Sequence, residues 1–253
     1  MDDHGFELAG DRRGILCVHG FTGTAFDFRR VGETLAARGP TVVGLTLPGH
    51  GTTVDDLDVQ PWSAWADAVV TAYDRLAARC RQVAVVGQSM GGLLALHLAT
   101  LRQPAAIASL AAPLRLPGLS GMVARAATRW PLAGRVRRLP KRGGSDVRDP
   151  AMRHGTPSYP TIPVRALGQL LACMRVVDAE LPAVTAPLLI VHGVHDHTAP
   201  VDSAARIARR VATLDQRVVL LPASYHVLTL DVEQAQVAAE VGDFFLRRLG
   251  PPT

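Results

Sequence analysis

The chain has 253 residues and a mass of 26.9 kDa, which suits one α/β domain or two small ones and is ample for a buried core. Because 48% of its residues are hydrophobic and its formal net charge is only +5, a chain that is disordered throughout is excluded. Its three Cys show no CxxC pairing, so a disulfide scaffold is excluded and the thiols are expected to be reduced and buried.

Short runs rich in β-branched residues alternate along the chain with longer segments of helical periodicity. This alternation is typical of β-α-β units and predicts the α/β class. Because each apolar run is continuous, the strands are expected to form a mostly parallel central sheet with helices on both faces. The predicted strands are Ile15–Val18, Thr41–Leu45, Val83–Val86, Ile107–Leu110, Leu188–Val191 and Arg217–Leu221. The predicted helices between and after them are Phe26–Arg38, Trp62–Arg79, Met90–Leu101, Ser203–Ala212 and Glu233–Leu249.

The alternation stops between Pro113 and Pro187, where strand signals vanish and Pro, Gly and Arg become frequent. Residues 113–153 hold ten basic residues and two acids, a net charge of +8, so the basicity of the chain is local to this region. Because the alternation resumes at Leu188, the region is predicted to be an insertion rather than a second domain. Its second half, Val164–Leu181, has the pattern of an amphipathic helix. The apolar side of that helix carries Leu167, Leu170, Leu171 and Met174.

No membrane span is expected. The nearly apolar stretch Val83–Leu101 is cut in two by Gly87–Gly92, and each half is too short for a bilayer, which requires ~20 residues. The first fourteen residues are acidic and have no apolar core, so they do not predict a secretory leader. A cytoplasmic protein is therefore expected.

The sequence Gly87-Gln88-Ser89-Met90-Gly91 follows the most β-rich run and opens a helix. In that context small flanking residues allow a tight turn that holds a serine in a strained conformation with its hydroxyl exposed. The alternative is a Gly-rich helix entry that cradles a phosphate, but GxxxxGK[ST] and dinucleotide-loop spacing are both missing. Ser89 is therefore the predicted nucleophile.

A serine hydroxyl requires a base, and nine histidines compete for that role. His226 follows the last predicted strand by a short polar turn. Because parallel strands deliver their C-terminal loops to one edge of the sheet, His226 can reach Ser89 there. The alternative is a capping or core histidine. The histidines expected to orient backbone, to pack or to lie on the surface are His4, His19, His50, His97 and His154.

The base must be oriented by a carboxylate, and Asp196 directly follows the strand Leu188–Val191 at the same edge. The competitors Asp202 and Asp231 occupy positions expected for helix N-caps. A metal site in the Asp196 loop is a further alternative, although no additional Cys, Asp or Glu arrangement supports it. The histidines crowded in that loop are His192, His195 and His197.

An oxyanion requires two donors aimed at the developing charge. The backbone N–H of Met90 is one candidate, because it lies at the start of the helix after Ser89, where the helix dipole also helps. The N–H of Phe21, in the loop after the first predicted strand, is the other. A plain β-to-α turn is the alternative for the neighbouring Thr22 and Gly23.

Together these residues resemble the α/β-hydrolase fold and, within it, small bacterial carboxylesterases and monoacylglycerol-lipase-like esterases. The resemblance implies Ser89 as nucleophile, Asp196 as acid, His226 as base, and Phe21 and Met90 as oxyanion donors. It also implies a small helical cap inserted between strands 6 and 7, which here corresponds to residues 113–187 between core segments 1–112 and 188–253. The motifs that carry it are His19–Gly23, Pro48–Gly51, Gly87–Gly92, His195-Asp196 and Ser224–Asp231.

The resemblance implies a serine hydrolase that cleaves carboxylic esters of short-to-medium acyl chains through an acyl-enzyme, with monoacylglycerols as one option. The expected partner is a small-molecule ester, and no cofactor or metal is expected. The four apolar residues of the cap helix are expected to line an acyl pocket. The alternative is that they only dock the cap on the core.

Other functions remain open. The basic insertion could receive an acidic carrier, as in a thioesterase or acyltransferase acting on acyl groups of coenzyme A or a carrier protein. Against this, the chain has 26 Arg and one Lys, which indicates that the charge of the insertion reflects a general abundance of Arg and not a binding surface. A non-catalytic ligand-binding member of the fold is a further alternative. Nucleic-acid binding is not expected, because no aromatic interleaving or motif accompanies the charge. A haloalkane dehalogenase is disfavoured, because Ser rather than Asp occupies the nucleophile position.

Overall fold

The structure is a computed structural model and describes residues 5–117, 137–141 and 143–252. Its strands are β1 (Phe6–Leu8), β2 (Asp11–Val18), β3 (Pro40–Leu45), β4 (Gln82–Gln88), β5 (Ala106–Leu110), β6 (Arg138–Pro140), β7 (Thr161–Pro163), β8 (Leu188–Gly193) and β9 (Gln216–Leu221). Its α-helices are α1 (Arg29–Ala36), α2 (Val54–Asp58), α3 (Trp62–Ala77), α4 (Met90–Leu101), α5 (Pro150–Gly155), α6 (Val164–Glu180), α7 (Asp202–Arg210) and α8 (Gln234–Leu246). Two short 3₁₀ helices span Ala25–Phe28 and Leu181–Ala183.

Seven strands form one sheet in the order β1-β3-β2-β4-β5-β8-β9. All neighbours in it are parallel except β1 and β3, which confirms the predicted mostly parallel sheet. Each of the six predicted strands lies within an observed strand. The antiparallel strand β1 was not predicted, because its three residues form a strand only by pairing with β3.

The core lies on both faces of the sheet, because neighbouring residues of a strand point to opposite sides. Leu16 packs in a cluster with Trp65 of α3 and Leu93 of α4, whereas Ile15 packs in a second cluster with Phe244 of α8. The helices therefore cover both faces, as predicted. The three cysteines are buried and unpaired.

Strand β9 differs from the prediction that every strand is covered on both faces. It forms one edge of the sheet, and its Val218 and Leu220 side chains are 43% and 50% exposed. An apolar run has the same sequence signature at an edge as at the centre, so its exposure depends on the sheet order.

The predicted insertion leaves the sheet after β5 and returns at β8. In chain order this is between the fifth and sixth strands of the large sheet, the position that the resemblance numbered between strands 6 and 7. The described part holds α5, α6 and a two-stranded antiparallel sheet of β6 and β7, although no strand signal was detected there. Four of the ten basic residues counted in 113–153 lie outside the described residues: Arg125, Arg129, Arg135 and Arg142.

Among the described residues, no helix is both long and apolar enough to cross a bilayer.

Candidate active site

Ser89 stands at the turn between β4 and α4 with φ 56° and ψ −116°, a conformation that costs a non-glycine residue conformational energy. The flanking glycines make this turn possible. A Cβ on Gly87 would overlap the carbonyl of Gly91, and a Cβ on Gly91 would overlap the carbonyl of Val18. The backbone thus packs too closely for side chains, and the turn presents the serine hydroxyl at the carboxyl edge of the sheet.

The structure brings Ser89, His226 and Asp196 into one hydrogen-bonded line. Nε2 of His226 lies 2.8 Å from Oγ of Ser89, and Nδ1 lies 2.8 Å from Oδ2 of Asp196. The three residues come from the turns after β4, β8 and β9, which end at the same edge. With the proton on Nδ1, His226 donates to Asp196 and accepts from the serine hydroxyl, as a general base requires.

The carboxylate of Asp196 is fully buried and held by several donors. Its Oδ1 accepts from the N–H groups of Thr198 and Ala199 at 2.8 and 2.7 Å, and Nε2 of His192 lies 3.2 Å from Oδ2. Burial alone would raise the pKa of this carboxyl, but the charge of His226 and these hydrogen bonds hold the pKa below its usual range. Asp196 is therefore ionised and fixed in position.

Burial of His226 favours its neutral form, but Asp196 outweighs burial through its charge and hydrogen bond, so the pKa of His226 is raised. The charge of Asp146 also raises it, whereas that of Lys141 lowers it. His226 therefore takes up a proton more readily than an ordinary histidine.

The two predicted oxyanion donors flank Ser89. Met90 begins α4, and a Cβ on Gly20, next to Phe21, would lie 3.2 Å from Cβ of Ser89. Among the described residues, neither the N–H of Phe21 nor that of Met90 donates a hydrogen bond. Both groups are thus available to an oxygen bound beside the serine.

The loop that carries Phe21 is held by buried His19. Nδ1 of His19 lies 2.8 Å from the carbonyl of Gly20, and Nε2 accepts from the N–H of Leu47 at 3.0 Å. Burial lowers the pKa of His19 to about 4, so the ring is neutral and can act as both donor and acceptor. This agrees with the predicted role of orienting backbone.

A polar wall of the Ser89 cleft was not predicted from the sequence. Nζ of Lys141 donates to Oγ of Ser158 at 2.6 Å and to Oγ1 of Thr22 at 3.3 Å. Burial lowers the pKa of Lys141. Nearby Asp27 is buried, which raises its carboxyl pKa to about 7 although the charge of Lys141 opposes this rise. No local signal places Lys141 at the cleft, although it is the single lysine beside 26 arginines.

The cleft that the described residues form is not lined by the four apolar residues of α6. Leu167, Leu170 and Met174 are buried in the core cluster that includes Trp65, and Leu171 packs partly buried against it. This is the arrangement expected if they dock the insertion on the core. Their contact with an acyl chain stays a prediction.

The competing carboxylates lie elsewhere. Asp202 is the first residue of α7, whose N-cap is Val201, and it pairs with Arg115 at 2.6 Å. Asp231 is not a helix cap either, because α8 begins at Gln234 after the N-cap Glu233. Asp231 is fully buried and accepts backbone hydrogen bonds from both the insertion and the His226 turn.

The crowded histidines do not form a metal site in the part of the chain that the structure describes. Nε2 of His192 lies near Asp196 and 3.1 Å from the carbonyl of Ala199. His197 instead pairs with Asp146 at 2.9 Å.

The chain is similar to several known proteins. The family described as serine aminopeptidase, S33 matches residues 10–233. A thermostable monoacylglycerol lipase from Bacillus sp. (strain H-257) is 32% identical over 239 residues, which cover 94% of this chain and 92% of that protein. A carboxylesterase from Bacillus subtilis (strain 168) is 26% identical over 244 residues, covering 94% of each chain. A solved chain from work on LipS and LipT, two metagenome-derived lipolytic enzymes, has a TM-score of 0.89 and 30% identity, covering 96% of this chain and 97% of that one.

Proposed function

This chain belongs to the serine aminopeptidase S33 family, whose match spans residues 10–233. From this membership and the geometry of the site, we propose that it is a serine hydrolase that cleaves carboxylic esters of short-to-medium acyl chains. The observation that carries the proposal is the line of hydrogen bonds from Ser89 through His226 to Asp196. The names of its relatives, a monoacylglycerol lipase and a carboxylesterase, support esters as the substrate class.

The proposed reaction is acyl transfer through an acyl-enzyme. His226 takes the proton of Ser89 while Oγ attacks the ester carbonyl, and the N–H groups of Phe21 and Met90 stabilise the resulting oxyanion. His226 then gives its proton to the departing alcohol. Water, deprotonated by the same imidazole, attacks the acyl-enzyme and releases the acid, which restores Ser89. Asp196 stays ionised and stabilises the protonated imidazole in both halves.

Monoacylglycerols are the esters that the polar wall favours. Lys141, Asp27 and Ser158 line the cleft beside Ser89 and could exchange hydrogen bonds with free hydroxyls of a glycerol leaving group. A glycerol hydroxyl would add to the hydrogen bonds that Lys141 already makes with Ser158 and Thr22, whereas an apolar alcohol offers these groups no partner.

A carrier-bound thioester remains the alternative, and the ion pairs of the insertion do not favour it. Two of its arginines are already neutralised, because Arg138 pairs with Asp55 and Arg115 with Asp202. The cytoplasmic location and the division into segments 1–112, 113–187 and 188–253 also remain predictions.

A substrate panel tests the proposal. Monoacylglycerols and p-nitrophenyl esters of matched chain length are compared with acyl-coenzyme A and aminoacyl p-nitroanilides, and each assay is repeated with Ser89→Ala. We expect ester hydrolysis that vanishes in the variant and depends little on salt. Hydrolysis confined to aminoacyl anilides would overturn the ester assignment. Thioester hydrolysis that weakens steeply with salt would establish the carrier alternative.

A further inference from the structure

Asp146, in the insertion, contacts both loops that carry the base and the acid. Its backbone carbonyl accepts hydrogen bonds from the N–H groups of His226 and Val227, at 3.0 and 3.1 Å. These bonds hold the backbone of the base itself, so the position of the imidazole depends on a residue outside the core segments.

The carboxylate of Asp146 holds the acid loop. Its Oδ2 accepts from the N–H of His197 at 3.2 Å and from Oγ1 of Thr198 at 2.9 Å, and Oδ1 lies 2.9 Å from Nδ1 of His197. These two residues directly follow Asp196, and the N–H of Thr198 donates to Asp196. The side chain of Asp146 is 20% exposed and that of His197 is 64% exposed, so Asp146 is the more shielded partner of this pair.

The position of Asp146 is itself fixed by a second carboxylate. Buried Asp231 accepts from the N–H groups of Arg148 and Asp149 at 2.9 and 3.2 Å, and from that of Tyr225 at 2.7 Å. Asp231 therefore ties the insertion to the turn before His226. The two carboxylates act differently, because the charge of Asp146 raises the pKa of His226, whereas Asp231 bonds to backbone N–H groups.

We propose that Asp146 is a positioning residue, which clamps the loops of Asp196 and His226 together and supports the protonated imidazole with its negative charge. The idea rests on the proposed function, because it assigns His226 the part of the base. It gives the insertion a part in positioning the catalytic groups, in addition to the side chains that it contributes to the cleft.

Four titratable groups surround His226 or line its cleft. Asp196 comes from the loop after β8, Asp146 and Lys141 come from the insertion, and Asp27 comes from the 3₁₀ helix after β2 and lines the same cleft. Asp196 and Asp146 raise the pKa of His226, and Lys141 lowers it. Removing the charge of Asp146 should therefore lower the pKa, so that the base stays neutral to a lower pH.

The test is Asp146→Asn, which keeps the backbone carbonyl and the size of the side chain but removes its charge. We expect the acid limb of the kcat/KM profile to move to lower pH. We also expect kcat to fall roughly tenfold with little change in KM. This loss is smaller than the ~10²-fold loss in rate that a misplacement of about 1 Å can cause. Asp149→Asn is the matched control, because that carboxylate caps its own helix at Ala151 and should leave the profile unchanged.

Two readouts keep the test independent of the substrate. The rate of labelling by a fluorophosphonate reports activation of Ser89, and an NMR titration of the His226 imidazole reports its pKa. Both should shift in Asp146→Asn as the kinetic profile does. If the wild-type protein cleaves no ester, the proposed function fails, while these readouts still decide the role of Asp146.

A comparison with Asp231→Asn separates positioning from stability alone. We expect Asp231→Asn to lower the melting temperature and to shift the titration of His226 less than Asp146→Asn does, because Asp231 bonds only to backbone N–H groups of the two loops. The proposal is overturned if Asp146→Asn titrates and labels like the wild type, or if it only loses thermal stability as Asp231→Asn does.

Discussion

The side chain of Gln88 donates a hydrogen bond from Nε2 to the backbone carbonyl of His226, 2.8 Å away. Gln88 is the last residue of β4 and directly precedes Ser89, so the strand that leads to Ser89 also holds the loop that carries His226. The backbone carbonyl of Asp146 accepts hydrogen bonds from the N–H groups of His226 and Val227 in the same loop. The imidazole is therefore located by the sheet from one side and by the insertion from the other.

Replacement of Ser89 should separate catalysis from backbone strain. We expect Ser89→Ala and Ser89→Gly each to lower kcat by at least about 10⁴-fold, because both remove the hydroxyl. At φ 56° alanine remains strained whereas glycine does not, so Ser89→Gly should be the more stable by about 1 kcal/mol. Denaturant unfolding of the matched pair measures this difference. Substantial turnover in either variant would exclude the acyl-enzyme on Ser89.

Replacement of Asp196 by Asn should lower kcat by about 10⁴-fold, because the amide no longer fixes the Nδ1–H tautomer of His226 or stabilises its cation. The raised pKa of His226 places the acid limb of the wild-type kcat/KM profile above pH ~6.5, the ordinary histidine value. Burial lowers this pKa and Asp196 raises it, so the residual activity of Asp196→Asn should extend to lower pH. A limb that moves to higher pH would contradict the assigned partnership.

The sequence located the parts of the site that have a local signal. Ser89 stands in a Gly-flanked turn between a strand and a helix, and Asp196 and His226 each follow a predicted strand. Because parallel strands end at one edge, the order of elements was enough to predict that these three side chains meet. The distances of 2.8 Å between them agree with that expectation.

The groups around these three residues could not be predicted, because their partners are distant in the chain. Asp231 precedes an apolar helical segment, which is also the pattern of an N-cap, yet its carboxylate bonds to Arg148, 83 positions away. Lys141 donates to Thr22 across 119 positions. The exposure of β9 likewise depends on its place at the edge of the sheet. Such relationships follow from tertiary packing, which no periodicity encodes.

Asp27 should make the stability of the protein fall as the pH rises from about 4 to 7. Burial raises its pKa to about 7 in the folded state, against ~3.9 in an unfolded chain, so in that interval the folded state retains a proton that the unfolded state loses. Asp27→Asn cannot titrate, so it should gain stability relative to the wild type by up to about 1.4 kcal/mol per pH unit. Urea unfolding at a series of pH values tests this. Asp67→Asn, an exposed change on α3, is the control, and equal pH dependence in wild type and Asp27→Asn would refute the assignment.

Replacement of Lys141 by Met should alter substrate preference more than overall activity. The lysine donates to Ser158 and Thr22 on the polar wall beside Ser89, and methionine is of similar length but donates no hydrogen bonds. We expect kcat/KM for monoacylglycerols to fall roughly tenfold relative to methyl esters of the same acids, as loss of one hydrogen bond to a charged donor implies. Arg138→Met is the matched control, because this arginine pairs with Asp55 at the surface and does not line the cleft. An equal fall in kcat/KM for both ester types would show that Lys141 does not discriminate between the alcohol groups of the substrates.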